Sequence, residues 1–498
     1  VFSLVALVSF QPSHRLALLP TTWKAPALPP PPNYDNPDLP LLPLDVYGSA
    51  FPSLTLPPVF PPSLAERLVS LLLRPIESHE EAAEKMRQHC PLYLADKIVN
   101  PDQFRGEADF WRQLDKDEIV ARRVEMVKFL EEKLGQGKEV VGHESMPGGR
   151  GIVLTGGNQD TTQRMITLMK HLRRLNVELP IEIFHFKGEL TNNDDRREIS
   201  RLGGTIREIS GVEKVAGVWK NFQIKGLAIV ESSFREVLYL DSDNIPLRNP
   251  SHLFDAPLYL TSGRAIFFPD LSKDHPDNAI WRLIGDRCTL DDWTFESGQI
   301  VIDKAGNDGL NLAALWIASY MMGDLGFWFK MCGGDKDTFR WAFRALDLQM
   351  GHSPKWMSPV GFLNGYEGGR FCGHTMLQYD LVIPEGYEDT PPLFVHSNLV
   401  KHLGAAGLSK GKLYTHVKRP SMNDYTEPTL NHAHLYVYTG NSRGMCTDLD
   451  WHDDARGMTD EEKSVQYIET IELGELEGDP FAGFEDAWWD EGGRVGGW

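Results

Sequence analysis

The chain has 498 residues, 41% of them apolar and 24% charged, and carries a formal net charge of -20. That length accommodates one large domain with embellishments or two domains, and that charge argues against nucleic acid as a partner. The five cysteines show no C-x-x-C spacing, so zinc and thioredoxin-like chemistry are unsupported, while one or two disulfides stay open in an oxidising lumen.

The first ten residues, Val1 to Phe10, form a mostly apolar stretch. A bilayer needs about 20 such residues, so residues 1–11 read as the remnant of an N-terminal signal anchor. A signal-peptide remnant or a short core helix are the alternatives. Residues 12–62 hold 15 prolines, including Pro29 to Pro32. Such a segment favours extended polyproline II geometry and builds no packed core, as a stem would. Residues 63–145 read as a helical lead-in, with Leu64, Leu68, Leu71 and Leu72 on one face and later Val120, Val124, Val127, Phe129 and Leu130.

Strand and helix then alternate with short links over a catalytic domain placed at residues 146–444. Gly151 to Leu154 is a strand that runs into Thr155-Gly156-Gly157-Asn158, a glycine-containing loop without the dinucleotide fingerprint. A helix carrying Met165, Met169 and Leu172 follows, then a strand at Ile181 to Phe186. Next come a helix at Asp194 to Leu202 closed by Gly203-Gly204, and a strand at Thr205 to Ile209. A helix is expected from Val212 to Val230, with Val215, Val218, Trp219, Phe222 and Ile229 inward. Lys225 shares that apolar stripe; it either meets a buried anion or snorkels past the stripe to water. The alternation predicts an α/β, Rossmann-like fold.

The central strand, Val237 to Leu240, ends in Asp241-Ser242-Asp243-Asn244. Ligands of open α/β sheets collect at the carboxyl ends of strands. Two close carboxylates at that place suit a hard divalent ion that takes its other ligands from substrate phosphates. A solvated acidic turn is the plainer alternative. An EF-hand is a poor match, because the sixth position is Pro246 and the twelfth His252. Further on, Phe295 to Asp303 is a strand with polar residues at its start. Asp335 and Asp337 open a helix through Phe343, and one of them is expected to cap it. Leu393 to Asn398 is a buried strand ending in His396 and Asn398. A lone histidine there is more often structural than a ligand. From Met445 to Trp498 there are 16 acids against 3 bases. This acidic tail is expected to be a solvated, partly disordered tail or a species-specific extension and, from about Gly474, dispensable, although Trp488 and Trp489 offer a docking point.

Tyr239-Leu-Asp-Ser-Asp-Asn244 with Pro246 and Arg248-Asn-Pro250, Glu296-Ser-Gly-Gln299, and Gly334-Asp-Lys-Asp-Thr-Phe339 occur in this order. Together they resemble the fungal Golgi α-mannosyltransferases that extend mannan and N-glycan outer chains, and the α-1,2 branch-initiating members more than the α-1,3 members. The resemblance covers about Gly151 to Lys401 and implies a GT-A fold. It also implies a retaining transfer of mannose from GDP-mannose to a mannose-containing glycan acceptor, Mn²⁺ (or Mg²⁺) as cofactor, and a type II Golgi membrane protein with a lumenal catalytic domain. By its implication, and by a more distant likeness to glycogenin-type transferases, Asp241, Asp243 and His396 are the metal ligands. Thr155, Gly156, Gly157, Asn158, Lys225, Ser242, Asn398 and Lys401 are the donor-binding set. Glu296 and Gln299 would steady the cation-like sugar, and Asp335 or Asp337 would orient the attacking hydroxyl. The rival expectations are a UDP-sugar donor, or a catalytically silent glycan-binding protein of the same fold.

Overall fold

A computed structural model describes residues 60–90, 101–216, 221–288, 293–324, 326–365, 368–382, 390–404, 408–420, 433–440, 444–451, 459, 461, 468–476 and 478–496. The expected anchor remnant and all but the last three residues of the stem lie outside this set. Among the described residues no helix is long and apolar enough to cross a membrane.

Among its described residues the lead-in has four helices: α1 (Pro62–Leu73), α2 (His79–His89), α3 (Pro101–Gln113) and α4 (Lys116–Gly135). Local chemistry starts two of them. Ser78 and Glu81 form a reciprocal capping box at α2, and Asp115 accepts from the Glu118 N–H at α4.

The chain then enters a seven-stranded sheet. Its strands are β1 (Arg150–Thr155), β2 (Ile181–His185), β3 (Gly204–Glu208), β4 (Glu236–Leu240), β6 (Ala265–Pro269), β7 (Phe295–Asp303) and β8 (Gly351–His352). β5 (Asn244–Pro246), the first strand after β4, belongs to a second sheet. The order in the first sheet is β3-β2-β1-β4-β7-β6-β8. β3, β2, β1 and β4 are mutually parallel, joined through α5 (Gln159–Arg174), α6 (Asn193–Arg201) and α7 (Ile224–Glu231). The order reverses between β1 and β4, and a crevice at such a reversal is where these sheets bind ligands. This is the Rossmann-like α/β architecture expected of the chain.

Period-2 alternation divides the sheet into two apolar faces. Val153, Val237, Tyr239, Ile300, Ile302 and Phe267 face one core, shared with Leu64, Leu68, Met126 and Val127 of the lead-in and with helix α8 (Leu310–Gly323). Ile152, Leu154, Leu238, Leu240, Val301 and Phe268 face the other, shared with Met165, Leu168 and Met169 of α5. This second core extends to Leu377, Phe394 and Val395 of the second sheet.

That second sheet contains β9 (Ser358–Asn364), β10 (Arg370–Tyr379), β11 (Pro392–His396), β12 (His416–Pro420), β13 (Ala433–Gly440), β14 (Gly444–Trp451) and β15 (Ile468–Glu472). β13, β14, β10, β9, β12 and β15 lie in that order, and β11 pairs with both β10 and β5.

Two expectations are corrected here. The helix drawn from Val212 to Val230 is only α7, Ile224–Glu231. Val215, expected inward, is 48% exposed. The Asn221 side chain accepts from the Val215 N–H and donates back to the Val215 carbonyl, closing a loop where the helix was expected. Val218 and Trp219 lie outside the described residues. The acidic tail is not a solvated extension either. β14 pairs with β10 and β13, and β15 pairs with β12. Cys446 is bonded to Cys372. Helix α9 (Lys336–Ala345) lies between β7 and β8, and helix α10 (Phe484–Asp490), in the acidic segment, buries Phe484 and Trp488.

A second disulfide, Cys90–Cys288, fastens the lead-in to the catalytic domain, and Cys332 is a buried free thiol. Arg123 of α4 is fully buried beside that joint. Its guanidinium donates to the carbonyls of Leu283, Arg282, Leu71, Arg74 and Pro75.

Candidate active site

The site forms where β4 ends. Two backbone registers assemble it. β7 runs antiparallel to β4 with Leu240 opposite Gln299, and the Asp241 N–H continues the ladder to the Gly298 carbonyl at 2.8 Å. Glu296 to Gln299 therefore sit beside the first aspartate. β5 then pairs antiparallel with β11, setting Asn244 opposite His396, and the Ser397 N–H donates to the Asp243 carbonyl at 2.8 Å. The second aspartate and the histidine are held together by main chain.

Asp241, Asp243 and His396 each offer a ligand atom, and these atoms all lie within 4.8 Å of one another. His396 Nε2 is 3.3 Å from Asp243 Oδ1. Its Nδ1 is 3.1 Å from Glu296 Oε1 but is not aligned for a hydrogen bond, so that contact is electrostatic. Glu296 Oε1 is already used by the backbone N–H groups of Ser297 and Gly298.

Two lysines meet the acids. Lys225, on α7 and 4% exposed, places Nζ 3.0 Å from Asp241 Oδ2 and 2.7 Å from Asp335 Oδ2, and donates to Ser297 Oγ at 3.1 Å. Ser297 Oγ in turn donates to Asp335 at 2.9 Å. Lys401 donates to Asp243 Oδ2 at 2.6 Å.

These contacts set the charges. Burial alone would depress the Lys225 pKa, but Asp241 and Asp335 outweigh it and hold the ammonium charged. Burial would raise Asp243, yet Lys401 and His396 keep it well below the usual carboxylate range. Glu296 follows the same pattern: burial pushes up, His396 and Lys225 pull down, and the carboxyl falls to about 2. His396 moves to about 10, because Glu296 and Asp243 outweigh the desolvation that would lower it.

The residues expected from sequence divide into three groups. Asp241, Asp243, His396, Glu296, Lys225, Lys401 and Asp335 converge. Thr155 reaches the site through another residue: its hydroxyl lies 2.8 Å from the Tyr239 hydroxyl, which donates to Asp241 Oδ1 at 2.7 Å. Ser242 lies between the two aspartates and Asn398 on the turn after β11, both half-buried.

The remaining five are engaged elsewhere. Asn158 caps α5 by accepting from the Thr161 N–H. Gly156 and Gly157 pack so closely on Thr161 and on Glu189 with His185 that a Cβ would clash. Asp337 is fully buried, accepts from the Phe295 N–H and from Arg340 Nε, and takes no part in the acid cluster. Burial pushes its carboxyl up despite Arg340 and Lys336. Gln299 is fully buried and accepts from Asn244 Nδ2, while its own Nε2 has no hydrogen-bond partner among the described residues. Neither aspartate near the start of α9 caps it through its side chain.

Sequence reasoning missed Tyr239, Ser297 and Asn244 as site residues. Tyr239 had a signal, since a tyrosine inside a buried strand needs a partner for its hydroxyl. Ser297 and Asn244 had none, because their roles depend on strand pairings far apart in sequence.

Residues 149–285, from β1 past the two aspartates, match the family model described as "Mannosyltransferase putative". Among curated relatives, the α-1,2-mannosyltransferase MNN24 of Candida albicans is 31% identical over 37% of this chain and 26% of its own length. MNN22 of the same organism, also an α-1,2-mannosyltransferase, is 25% identical over 64% of this chain and 62% of its own length. The chain thus spans less than two thirds of these relatives. A solved glycosyltransferase, GlyE of Streptococcus pneumoniae, superposes over 41% of this chain and 45% of its own at 16% identity with a TM-score of 0.27, and at that overlap it carries no argument. Over residues 149–285 the chain is similar to that mannosyltransferase family, and the relatives it resembles are fungal α-1,2-mannosyltransferases.

Proposed function

We propose that the protein is a retaining α-mannosyltransferase that moves mannose from GDP-mannose to a mannoside hydroxyl of a glycan, forming an α-1,2 linkage. The observation that carries this reading is the convergence of Asp241, Asp243 and His396 within 4.8 Å at a strand terminus, with Lys225 and Lys401 against the same carboxylates. Two carboxylate donors and one imidazole fit a divalent ion, and the imidazole favours Mn²⁺ over Mg²⁺. Those three residues would hold it. When bound, such an ion supplies positive charge for a diphosphate leaving group.

The chain's own side chains supply the rest. Lys225 and Lys401 are cations within reach of the negative charge that grows on the departing diphosphate. Glu296, held ionised, places negative charge where a sugar with cationic character would be steadied. Asp335, fixed by Lys225 and Ser297, is placed to orient and deprotonate an acceptor hydroxyl. Lys225 links the two ends of this reaction through Asp241 and Asp335. The two disulfides suit an oxidising compartment, which agrees with a lumenal, Golgi-bound enzyme anchored to the membrane ahead of the proline-rich stem.

The test is transfer from GDP-mannose to α-mannobiose with Mn²⁺, the linkage read by linkage-specific mannosidases. Asp241→Asn and Asp243→Asn are each expected to abolish product while the fold persists. Full activity after chelation would overturn the metal assignment. Transfer from a UDP-sugar in place of GDP-mannose would overturn the donor.

A further inference from the structure

The C-terminal segment reaches the strands that carry the site by two separate routes. On the first, Glu485 of α10 turns inward and collects backbone N–H groups from the loop before β12. Its Oε1 accepts from Gly411 at 2.8 Å, Lys412 at 3.1 Å and Leu413 at 3.1 Å. Its Oε2 accepts from Leu413 at 3.3 Å and Tyr414 at 2.9 Å. A buried carboxylate in such a ring of N–H groups fixes the loop's conformation. The loop delivers the Tyr414 hydroxyl to Ser397 Oγ at 2.7 Å. Ser397 is next to His396 and donates its N–H to Asp243. The Tyr414 ring is packed edge-on against Phe484 and Trp488, both on α10.

On the second route, Glu491 Oε2 lies 2.8 Å from His171 Nδ1. His171 is fully buried in α5, and its Nε2 lies 3.0 Å from the Pro246 carbonyl. Pro246 ends β5, the strand that begins one residue after Asp243 and pairs with β11.

We propose that the C-terminal helix is a positioning element of the active site. Glu485 acts through Tyr414 and Ser397, and Glu491 acts through His171 and Pro246. Together they set the β5–β11 pair that holds Asp243 and His396 at ligand distance. None of these residues touches substrate; Tyr414, His171, Glu485 and Glu491 are positioning residues. This rests on the functional reading above only in its consequence for metal and donor, since the clamp itself is a property of the strands. The acidity of the segment is here a structural requirement, because two of its carboxylates are consumed by the fold.

The experiment compares wild type with Tyr414→Phe and Glu485→Gln in the full chain, using Ile199→Val as a packing control in α6 at the opposite edge of the first sheet. Tyr414→Phe keeps the ring and its packing and removes only the hydroxyl. Amide hydrogen exchange in the metal-free proteins reads the clamp directly: peptides covering residues 244–247 and 393–398 exchange at least threefold faster in Tyr414→Phe and Glu485→Gln, and not in Ile199→Val. Manganese titration followed by the EPR signal of the free ion reads the consequence: the dissociation constant rises at least threefold in both variants at a temperature where all four proteins are folded. Unchanged exchange in both peptides overturns the proposal. Faster exchange with an unchanged manganese constant also overturns it. A wild type that binds no manganese and transfers no mannose refutes the functional reading instead, and exchange alone then decides the clamp. If Glu485→Gln does not fold, Tyr414→Phe carries the test.

Discussion

At the residue scale, Asp335 and Asp337 separate two roles that one helix start offers. Asp335 contacts Lys225 and Ser297, while Asp337 faces Arg340 and the Phe295 N–H. Asp335→Asn is therefore expected to lower kcat at least a hundredfold with a melting temperature near that of wild type. Asp337→Asn is expected to do the reverse, because it weakens the acceptor of the buried Phe295 N–H and leaves the Arg340 guanidinium with Asp274 as its remaining carboxylate, a loss of about 1–3 kcal/mol. A transfer assay and a thermal melt on both variants check this; equal losses of activity with equal stability would refute the division. Glu296 gives a pH prediction. Its pKa falls from 4.5 to about 2 on folding, so its contribution to stability is complete above pH 4.5 and is lost as pH falls through 2. His396, at about 10, stays protonated across that window. Glu296→Gln should flatten the acid limb of stability between pH 4.5 and 2 and lower stability at neutral pH. Denaturant unfolding at several pH values measures it, and an unaltered acid limb would count against it.

At the element scale, α4 depends on one buried side chain. Arg123 donates to five backbone carbonyls drawn from α1, from the link after it, and from the short helix Ile280–Ile284. Arg123→Ala strands those carbonyls and opens a cavity, and a loss of about 3 kcal/mol or more is expected in chemical denaturation. A loss under about 1 kcal/mol would mean that water replaces the guanidinium.

The elements also show what sequence could reveal. In the parallel half of the sheet, β1, β2 and β4 were legible because each is a short buried run, and the antiparallel β7 also falls on an apolar run. β3, whose residues are half-buried or exposed, was legible only from the glycine pair at its start. The joining of β5 to β11 and of β7 to β4 was not legible, since pairings between residues 152 and 59 positions apart, as for Asn244 with His396 and Leu240 with Gln299, leave no local pattern. The helix around Lys225 was drawn too long because apolar spacing continues through Val215, while Asn221 satisfies the loop's backbone instead. In the C-terminal segment, high charge masked the apolar face of Phe481, Phe484 and Trp488. Net charge says nothing about a carboxylate whose partners are backbone N–H groups.

At the scale of the whole molecule, the sheet is covered on both faces by segments from opposite ends of the described chain. The lead-in covers one face and is fixed by Cys90–Cys288 and Arg123. The second sheet and α10 cover the other, tied by Cys372–Cys446 and the Glu485 nest. Both covers share their main cores with the sheet: Leu64 and Leu68 share theirs with Tyr239, and Phe484 and Trp488 share theirs with Leu240. A cover that cannot bury its apolar face alone has no reason to melt alone. The lead-in and the catalytic sheet should therefore unfold in one calorimetric transition. Cys90→Ser should lower the midpoint of that transition, since an open 198-residue separation frees the unfolded chain, without splitting it. Tryptophan fluorescence supplies a second, molecule-wide probe, because the 13 tryptophans include Trp111, buried in the lead-in, and Trp316, buried in α8 across the same core. Calorimetry of both forms, with fluorescence recorded along the same ramp, checks this. A separate low-temperature transition in Cys90→Ser, with Tyr239 and the rest of the sheet still protected from exchange, would show instead that the lead-in is a domain in its own right and that the site stands without it.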